Sequence, residues 1–307
     1  MTRLADLSDA TKQLIGAIVA ANPLQAQFIE ESLSGLSAGE ASLLDAYLSF
    51  CSDCGISCPY LAECYDTIVR DTVTEQLFFR RHGTYRYSKY AEVAQSVYQN
   101  PEYMKRYMYG LAITTYLWPN HRTIHRFFST ELPRRRGGRY LEIGPGHGVY
   151  FMTAMRDGAF EHYSGVDISP TSVELTRSLL ASGRFGRFVN YELACSNFLD
   201  RNLPKTQYEA VVMGEVLEHV EDPEIFMTRI RELSTPDAFI FVTTAINAPA
   251  VDHIYLFDSV VAVHALVEGA GFRVVAEKTV PYSGMTLEES MTQRLPVNIA
   301  LVLAPQS

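Results

Sequence analysis

Two features are missing from this sequence of 307 residues, and each absence excludes a class of partner. No apolar run approaches the roughly 20 residues that a membrane-spanning helix needs. The longest one near the N-terminus covers only residues 14–21. Positive charge is not in excess either, because 26 Lys and Arg residues stand against 35 Asp and Glu residues. A non-specific nucleic-acid binder needs a basic face, so we expect neither nucleic acid nor a membrane as a partner.

Cysteine is scarce and unevenly placed. There are five cysteines, and four of them fall within residues 51–64, as Cys51, Cys54, Cys58 and Cys64. This pattern does not match a secreted disulfide framework, and acidic residues precede the first apolar stretch, where a secretory signal would carry positive charge. The spacing is also not that of a paired zinc motif. We therefore predict buried free thiols, no metal site and a cytoplasmic protein.

The chain divides into two parts with different patterns of apolar residues. Residues 1–133 carry helical spacing of apolar residues and helix-capping patterns, such as the capping box at 37–40. A Pro-Arg-Arg-Arg-Gly-Gly segment at 133–138 interrupts this pattern. From residue 139 onwards, short apolar runs alternate with helical segments, which indicates a mostly parallel sheet covered by helices. We predict an all-α N-terminal domain over 1–133 and an α/β catalytic domain over 139–307.

A glycine-rich loop is the sharpest motif. The segment Leu-Glu-Ile-Gly-Pro-Gly-His-Gly occupies 141–148, where the first predicted strand meets the first predicted helix. Glycines at alternate positions let a backbone turn tightly and approach a ligand closely. The spacing differs from that of a dinucleotide site, and no phosphate-binding P-loop is present. Because Glu142 stands two residues before the first glycine, the loop favours a cationic ligand without a phosphate at that point.

An acidic residue follows at the distance expected for ribose recognition. Asp167 comes 19 residues after Gly148, at the end of the second predicted strand. A carboxylate there can accept hydrogen bonds from both ribose hydroxyls, and its charge excludes a 2′-phosphate. Either motif is weak alone, but the two in this order predict a nucleoside-binding site.

Together with Val-Val-Met-Gly-Glu-Val-Leu-Glu-His-Val-Glu-Asp-Pro at 211–223, these motifs resemble those of the class I S-adenosylmethionine-dependent methyltransferases. The resemblance covers residues 138–307. It implies a Rossmann-like sheet of seven strands with one antiparallel strand, and S-adenosylmethionine as the donor. It also implies that Glu142 and the glycines lie near the methionine part and that Asp167 binds the ribose.

One departure from the family pattern concerns the adenine. The family usually carries Asp at the end of the third strand, where this chain has Asn197 and Phe198. An Asn oxygen can still accept a hydrogen bond from the adenine amino group. The predicted cofactor-binding residues are therefore Glu142, Gly144, Gly146, Gly148, Asp167, Ile168, Asn197, Phe198, Glu215 and His219.

Candidates for catalysis follow the fourth and fifth strands. Glu218 and His219 could serve either catalysis or structure. His253 and Tyr255 stand two apart on the loop after the fifth strand, so on an extended chain they would point the same way. We favour His253 as a base or acceptor-orienting group, although a satisfied surface histidine is the simpler interpretation. The predicted catalytic residues are His253, Tyr255 and, from the helical domain, Tyr116.

The tyrosine-rich helical domain is predicted to be a lid over the donor. Aromatic faces attract sulfonium and ammonium groups. Such a lid could set substrate choice, hold a homodimer or reshape the donor. The first hypothesis is therefore a methyltransferase that acts on a small molecule in specialised metabolism by in-line transfer.

Two alternatives remain open. The N-terminal extension and its tyrosines are similar to those of bacterial azetidine-2-carboxylate synthases. In those enzymes the α-amine of S-adenosylmethionine attacks its own γ-carbon and releases methylthioadenosine. The other alternative is a cofactor-binding regulatory or scaffold protein without catalysis.

Overall fold

The computed structural model describes residues 7–133, 137–200 and 206–306. In the described residues, seven α-helices precede the first strand, and five more lie between the strands. None of the helices in these ranges is both long and apolar enough to cross a membrane. The α-helices are α1 (Asp9–Ala21), α2 (Ala26–Ser34), α3 (Ala38–Asp53), α4 (Cys58–His82), α5 (Tyr90–Val93), α6 (Pro101–Leu117), α7 (Pro119–Glu131), α8 (Val149–Asp157), α9 (Pro170–Ala181), α10 (Pro223–Leu233), α11 (Val260–Gly269) and α12 (Leu287–Thr292).

Seven strands form one sheet in the order β3-β2-β1-β4-β5-β7-β6. Only β7 runs antiparallel to its neighbours β5 and β6, which confirms the predicted Rossmann-like sheet with one antiparallel strand. The order reverses beside β1, so the crevice beyond β1 and β4 is where ligands bind in such sheets. The strands are β1 (Arg139–Ile143), β2 (His162–Asp167), β3 (Tyr191–Cys195), β4 (Tyr208–Gly214), β5 (Ser234–Ile246), β6 (Phe272–Val280) and β7 (Val297–Pro305).

Local capping chemistry places the helices of the N-terminal part. The Ser37 side chain accepts from the Glu40 amide, and the Glu40 carboxylate accepts from the Ser37 amide, which confirms the predicted capping box. Ser57 caps α4 with Pro59 in the first turn. This helix ends at Gly83, whose φ of 75° is in the left-handed region that glycine adopts without strain. The resulting 25-residue α4 is the long support against which α6 packs.

The apolar core is continuous between the helical part and the sheet. Phe128 of α7 packs on Phe241 of β5, with ring centroids 4.9 Å apart, and also contacts the ring of Tyr150. One buried cluster includes both Leu14 of α1 and Val212 of β4. The division at residue 133 stays a prediction, and the three arginines at 134–136 lie outside the described residues. What the structure does show is that α7 lies on the sheet.

The cysteine prediction is only partly correct. Cys51 and Cys64 are buried as free thiols, and burial raises the pKa of the Cys64 thiol to about 12. Cys58 is half-buried and Cys54 is exposed, because they flank the turn at Gly55 between α3 and α4. These thiols lie in the helical part and do not line the cavity described below.

The close approach of α4 and α6 provides a stability test. A Cβ at Gly110 of α6 would lie 2.6 Å from both the Cys64 carbonyl oxygen and Ile68 Cγ1 of α4. We expect Gly110→Ala to destabilise the protein by about 1–3 kcal/mol, since the helices must separate. Gly16→Ala in α1 meets no atom within 4 Å and should stabilise by up to about 1 kcal/mol through helix propensity. Urea denaturation of both variants checks this, and equal effects would contradict it.

Candidate functional site

A cavity of about 920 Å³ opens at the carboxyl edge of the sheet. Its walls come from the ends of β1, β2 and β4, from α4 and α6, and from residues 248–253 after β5. This volume is near the upper end of the range for small-molecule sites. The cavity can therefore hold a nucleoside-sized cofactor beside a second small group.

The glycine loop (residues 144–148) forms one wall of the cavity, and three of its five residues carry no side chain. Gly144, Gly146 and Gly148 have φ values of 67°, 55° and 80°. A Cβ at Gly144 would lie 2.7 Å from Val216 Cγ2, and one at Gly148 would lie 2.9 Å from Thr176 Oγ1. Glycine is therefore required here both for backbone conformation and for space.

Two buried carboxyl groups flank this loop. Asp167 Oδ2 accepts from the Gly146 amide at 3.0 Å, and Asp167 Oδ1 accepts from the Ser169 amide at 2.8 Å. Burial raises the Asp167 pKa to about 6. Glu142 accepts from the Tyr140 hydroxyl, and burial raises the Glu142 pKa to about 8. Each Asp167 oxygen keeps a lone pair, so a glycine-rich wall and an acceptor for a diol lie together, which fits an adenosyl group.

Residues that follow β2 and β3 line another part of the cavity wall. Phe198 is buried against Phe226, with ring centroids 5.6 Å apart. Asn197 is exposed, and its Oδ1 accepts from the Leu199 amide at 2.9 Å. Ile168 is 43% exposed at the rim. The structure thus brings all three predicted residues to the cavity, but the Asn197 oxygen already holds a backbone turn.

A helical segment covers the cavity. The rings of Tyr90 and Tyr98 stack with centroids 5.6 Å apart. The Tyr90 amide donates to Glu221 Oε1, which follows β4. Burial raises the Tyr90 pKa, and the negative charge of nearby Asp167 adds to the rise. The lid role stays a prediction. The structure shows a hydrogen bond between this segment and Glu221, which follows β4.

Two histidines face each other beside the carboxyl end of β4. His219 and His253 lie edge to face with ring centroids 4.7 Å apart. His219 Nδ1 lies 3.1 Å from the Asp252 carbonyl oxygen and 3.3 Å from Asp252 Oδ2. Tyr98 donates its hydroxyl hydrogen to the same Oδ2 at 3.1 Å. His253 Nδ1 lies 2.5 Å from the Ala248 carbonyl oxygen.

These contacts assign the same tautomer to both rings. A carbonyl oxygen can only accept, so each Nδ1 carries a proton and each Nε2 keeps its lone pair. Burial lowers the pKa of His253 to about 3. His219 Nδ1 lies 3.3 Å from a carboxylate oxygen, Asp252 Oδ2, whereas the hydrogen-bond partner of His253 Nδ1 is a backbone carbonyl oxygen.

Glu218 is a buried carboxyl group behind these rings. Its Oε2 accepts from the Thr244 hydroxyl at 2.8 Å, and its Oε1 has no hydrogen-bond partner in the described part of the chain. Burial and the neighbouring Glu215 raise the Glu218 pKa well above its usual range. Glu218, His219 and His253 each offer an atom within 4.8 Å of the others, so they could hold a metal ion. The sequence pattern predicted no metal site and missed this donor set.

The predicted pairing of His253 with Tyr255 is wrong. Residues 251–252 form a turn, and the amides of Ile254 and Tyr255 both donate to the Glu218 carbonyl oxygen. The loop is therefore not extended. His253 is buried in the cavity wall, whereas Tyr255 is 37% exposed and packs on Phe257. The structure does not bring Tyr255 to the cavity.

Tyr116 is also not in the cavity wall. It is buried in the helical part against Tyr47, and its hydroxyl has no hydrogen-bond partner among the described residues. Glu215, by contrast, lines the cavity with a φ of 51°. Asp252 and Tyr98 were missed as site residues, although the Asp-His pair at 252–253 was a signal that could have identified one of them.

Comparisons with known proteins agree with this geometry. A family model described as a methyltransferase domain matches residues 114–277, which is more than half of the chain. The chain belongs to this family. It is thus a class I S-adenosylmethionine-dependent methyltransferase by descent, and its cofactor is S-adenosylmethionine.

Individual relatives are more distant. The ubiquinone biosynthesis O-methyltransferase of Xylella fastidiosa strain 9a5c is 30% identical over 108 residues, which is 35% of this chain and 42% of that protein. The same enzyme of Xanthomonas euvesicatoria is 30% identical over 124 residues, covering 40% of this chain and 49% of that protein. The chain thus spans about half the length of the curated relatives it matches.

A solved structure shares the fold. It comes from the complex between the Haloferax volcanii Trm112 methyltransferase activator and a methyltransferase. The TM-score is 0.51 at 13% identity, and the match covers 68% of this chain and 98% of that chain. At this identity the likeness concerns the fold alone.

Proposed function

We propose that this protein transfers the methyl group of S-adenosylmethionine to a small molecule. The observation that carries the proposal is one continuous cavity that joins the glycine loop and Asp167 to the His219–Asp252 pair. A donor held at the glycine loop and Asp167 would present its methyl group towards the His219–Asp252 pair. The printed names of the relatives, O-methyltransferases of ubiquinone biosynthesis, support a small acceptor. Specialised metabolism, a cytoplasmic location and a homodimer stay predictions.

The donor half of the cavity is assigned on charge and hydrogen bonding. Asp167 would accept from the two ribose hydroxyls, and Glu142 would face the cationic methionine part across Gly144. Phe198 would pack on the adenine. All three residues line the cavity, and each Asp167 oxygen can accept a further hydrogen bond beyond the one from the backbone.

Methyl transfer requires positioning more than acid–base power. The bound sulfonium supplies an activated methyl group, so the protein chiefly aligns the acceptor and excludes water. Where the acceptor must lose a proton, His219 Nε2 accepts it. Asp252 holds the opposite nitrogen and stabilises the imidazolium. His253 is a poorer base, because burial lowers its pKa to about 3.

Cyclisation of the donor to azetidine-2-carboxylate is the second candidate. It is supported by the stacked Tyr90 and Tyr98, since an aromatic cover over a cation could enforce a bent methionine chain. The α-amine would then attack the γ-carbon, and the C–S electron pair would leave on methylthioadenosine. The cavity, however, has room beyond one nucleoside, which favours a separate acceptor.

Product analysis distinguishes the candidates. We expect no turnover with S-adenosylmethionine alone, and S-adenosylhomocysteine once an acceptor is added. Mass spectrometry of the nucleoside products checks this. Methylthioadenosine formed without an acceptor would establish cyclisation instead. Tight donor binding without any product would leave a regulatory or scaffold role.

The two histidines should differ in effect. We expect His219→Gln to lower turnover about 100-fold or more, the range typical for loss of a general base. His253→Gln should cost much less, and the donor Kd should change little in either variant. Steady-state kinetics and calorimetry measure both. Equal losses, accompanied by loss of wild-type turnover after chelation, would assign the two rings to a metal ion instead.

Donor affinity should depend on pH through Asp167. The ionised carboxylate accepts two ribose hydroxyls, whereas the protonated one must donate. Since the Asp167 pKa is about 6, donor affinity should fall below that pH by up to tenfold per unit. Above it, only a smaller rise is expected, near pH 8, as Glu142 ionises. Calorimetry from pH 5 to 9 measures this profile.

Asp167→Asn provides the control for this profile. The variant should bind the donor more weakly at pH 7.5 and lose the change near pH 6, while keeping the step that belongs to Glu142. An Asn variant with the wild-type profile would remove Asp167 from the ribose site.

A further inference from the structure

The wall of the cavity carries acidic side chains and lacks basic ones other than histidine among the described residues. No Lys or Arg side chain lines it among the residues that the structure describes. Three of its histidines are neutral near pH 7, because burial lowers the pKa of His121 to about 4 and those of His147 and His253 to about 3. The carboxyl groups that line the cavity are Asp71, Glu142, Asp167, Glu215, Glu221 and Asp252.

Two of these acids, Asp71 and Asp252, lie away from the donor half and are held by two tyrosines, of which Tyr107 lines the cavity. The rings of Tyr103 and Tyr107 of α6 stack with centroids 5.7 Å apart. Tyr103 donates its hydroxyl hydrogen to Asp71 Oδ2 at 2.6 Å, and Tyr107 donates to Asp252 Oδ1 at 3.1 Å. Adjacent tyrosines thus carry two carboxylates on neighbouring positions. We call Asp71, Tyr103, Tyr107 and Asp252 the acidic clamp.

The acidic clamp has no cation of its own. Neither Asp71 nor Asp252 forms an ion pair with Lys or Arg in the described ranges, and the partner of Asp252 is the His219 ring. Burial raises the Asp71 pKa, and the charge of Asp252 adds to the rise. Asp252 is buried and Asp71 is half-buried, and neighbouring like charges that are partly removed from water without a counter-charge are unfavourable. A positively charged ligand would relieve this repulsion and gain two charge-assisted contacts.

We propose that the acidic clamp binds the acceptor as a primary or secondary ammonium ion, so that the protein methylates small amines. The proposal rests on the proposed function, which assigns the donor to the glycine loop and Asp167. Carboxylate or phosphate acceptors are rejected, because every charged side chain described in the wall is acidic. The tyrosine faces beside the clamp add cation–π attraction.

The transfer step follows from the neighbours of Asp252. The ammonium loses one proton to His219 Nε2, and its nitrogen lone pair attacks the donor methyl carbon. The N–C bond forms as the C–S bond breaks, and the electron pair stays on the now neutral thioether sulfur. The nitrogen takes over the positive charge that leaves the sulfur when it forms its fourth bond, so the methylated amine is a cation without any further proton transfer.

A set of isosteric probes tests the charge preference. The protein is loaded with S-adenosylhomocysteine and titrated in a calorimeter with 2-phenylethylamine, 2-phenylethanol and phenylacetate. We expect the amine to bind at least about tenfold more tightly than phenylacetate, in keeping with charge-assisted hydrogen bonds. The alcohol should fall between them. Phenylacetate binding as tightly as the amine, or no binding of any probe, would overturn the proposal.

Asp71→Asn locates the preference. The amide still accepts from Tyr103, so the fold is retained, and the advantage of the amine over the alcohol should fall about tenfold. Asp71→Glu should keep most of it. Glu102→Gln, on the exposed face of α6, is the control and should behave as wild type. An amine preference unchanged in Asp71→Asn would refute the clamp.

Failure of the proposed function gives a different result. If S-adenosylhomocysteine does not bind, the donor assignment is wrong, whatever the probes do. If it binds and the amine is not preferred, the donor assignment stands and only the acceptor class is wrong.

Discussion

Asp252 joins the two parts of the chain at the site. Its carboxylate accepts from Tyr98 and from Tyr107 of α6, and it lies 3.3 Å from His219 Nδ1 beyond β4. One buried side chain therefore contacts the His219 ring and two tyrosines of the helical part. Such a carboxylate is stable only while all its partners remain in place. The position of His219 thus depends on the helices as well as on the sheet.

The buried acids explain why the site is incomplete without a ligand. Burial raises the pKa values of Glu142 to about 8 and of Asp167 to about 6. The ionised form of each carboxyl is therefore less favourable in the folded protein than in water. Glu218, with an oxygen that has no partner in the described residues, is a third case. A cationic cofactor reverses this penalty, because it stabilises the ionised forms.

Local patterns predicted the donor half better than the acceptor half. Gly144, Gly146, Gly148 and Asp167 follow from strand ends and turn chemistry, which depend on neighbours in the sequence, and the structure brings them together. The prediction for Tyr255 was wrong because one turn at 251–252 breaks the assumed alternation of side chains. The contacts of Asp252 with Tyr98 and Tyr107 span about 150 positions and have no local signature. Only tertiary packing reveals them.

The two sets of residues also lie in different parts of the chain. The family match covers residues 114–277, which contain the glycine loop, Asp167 and both histidines. Asp71, Tyr98 and Tyr107 lie before it, on helices that the sheet does not require for its own pairing. Because α6 packs on α4 through Gly110 and contacts α9 beside the glycine loop, a change in those helices would move the tyrosines of α6 relative to the glycine loop and Asp167.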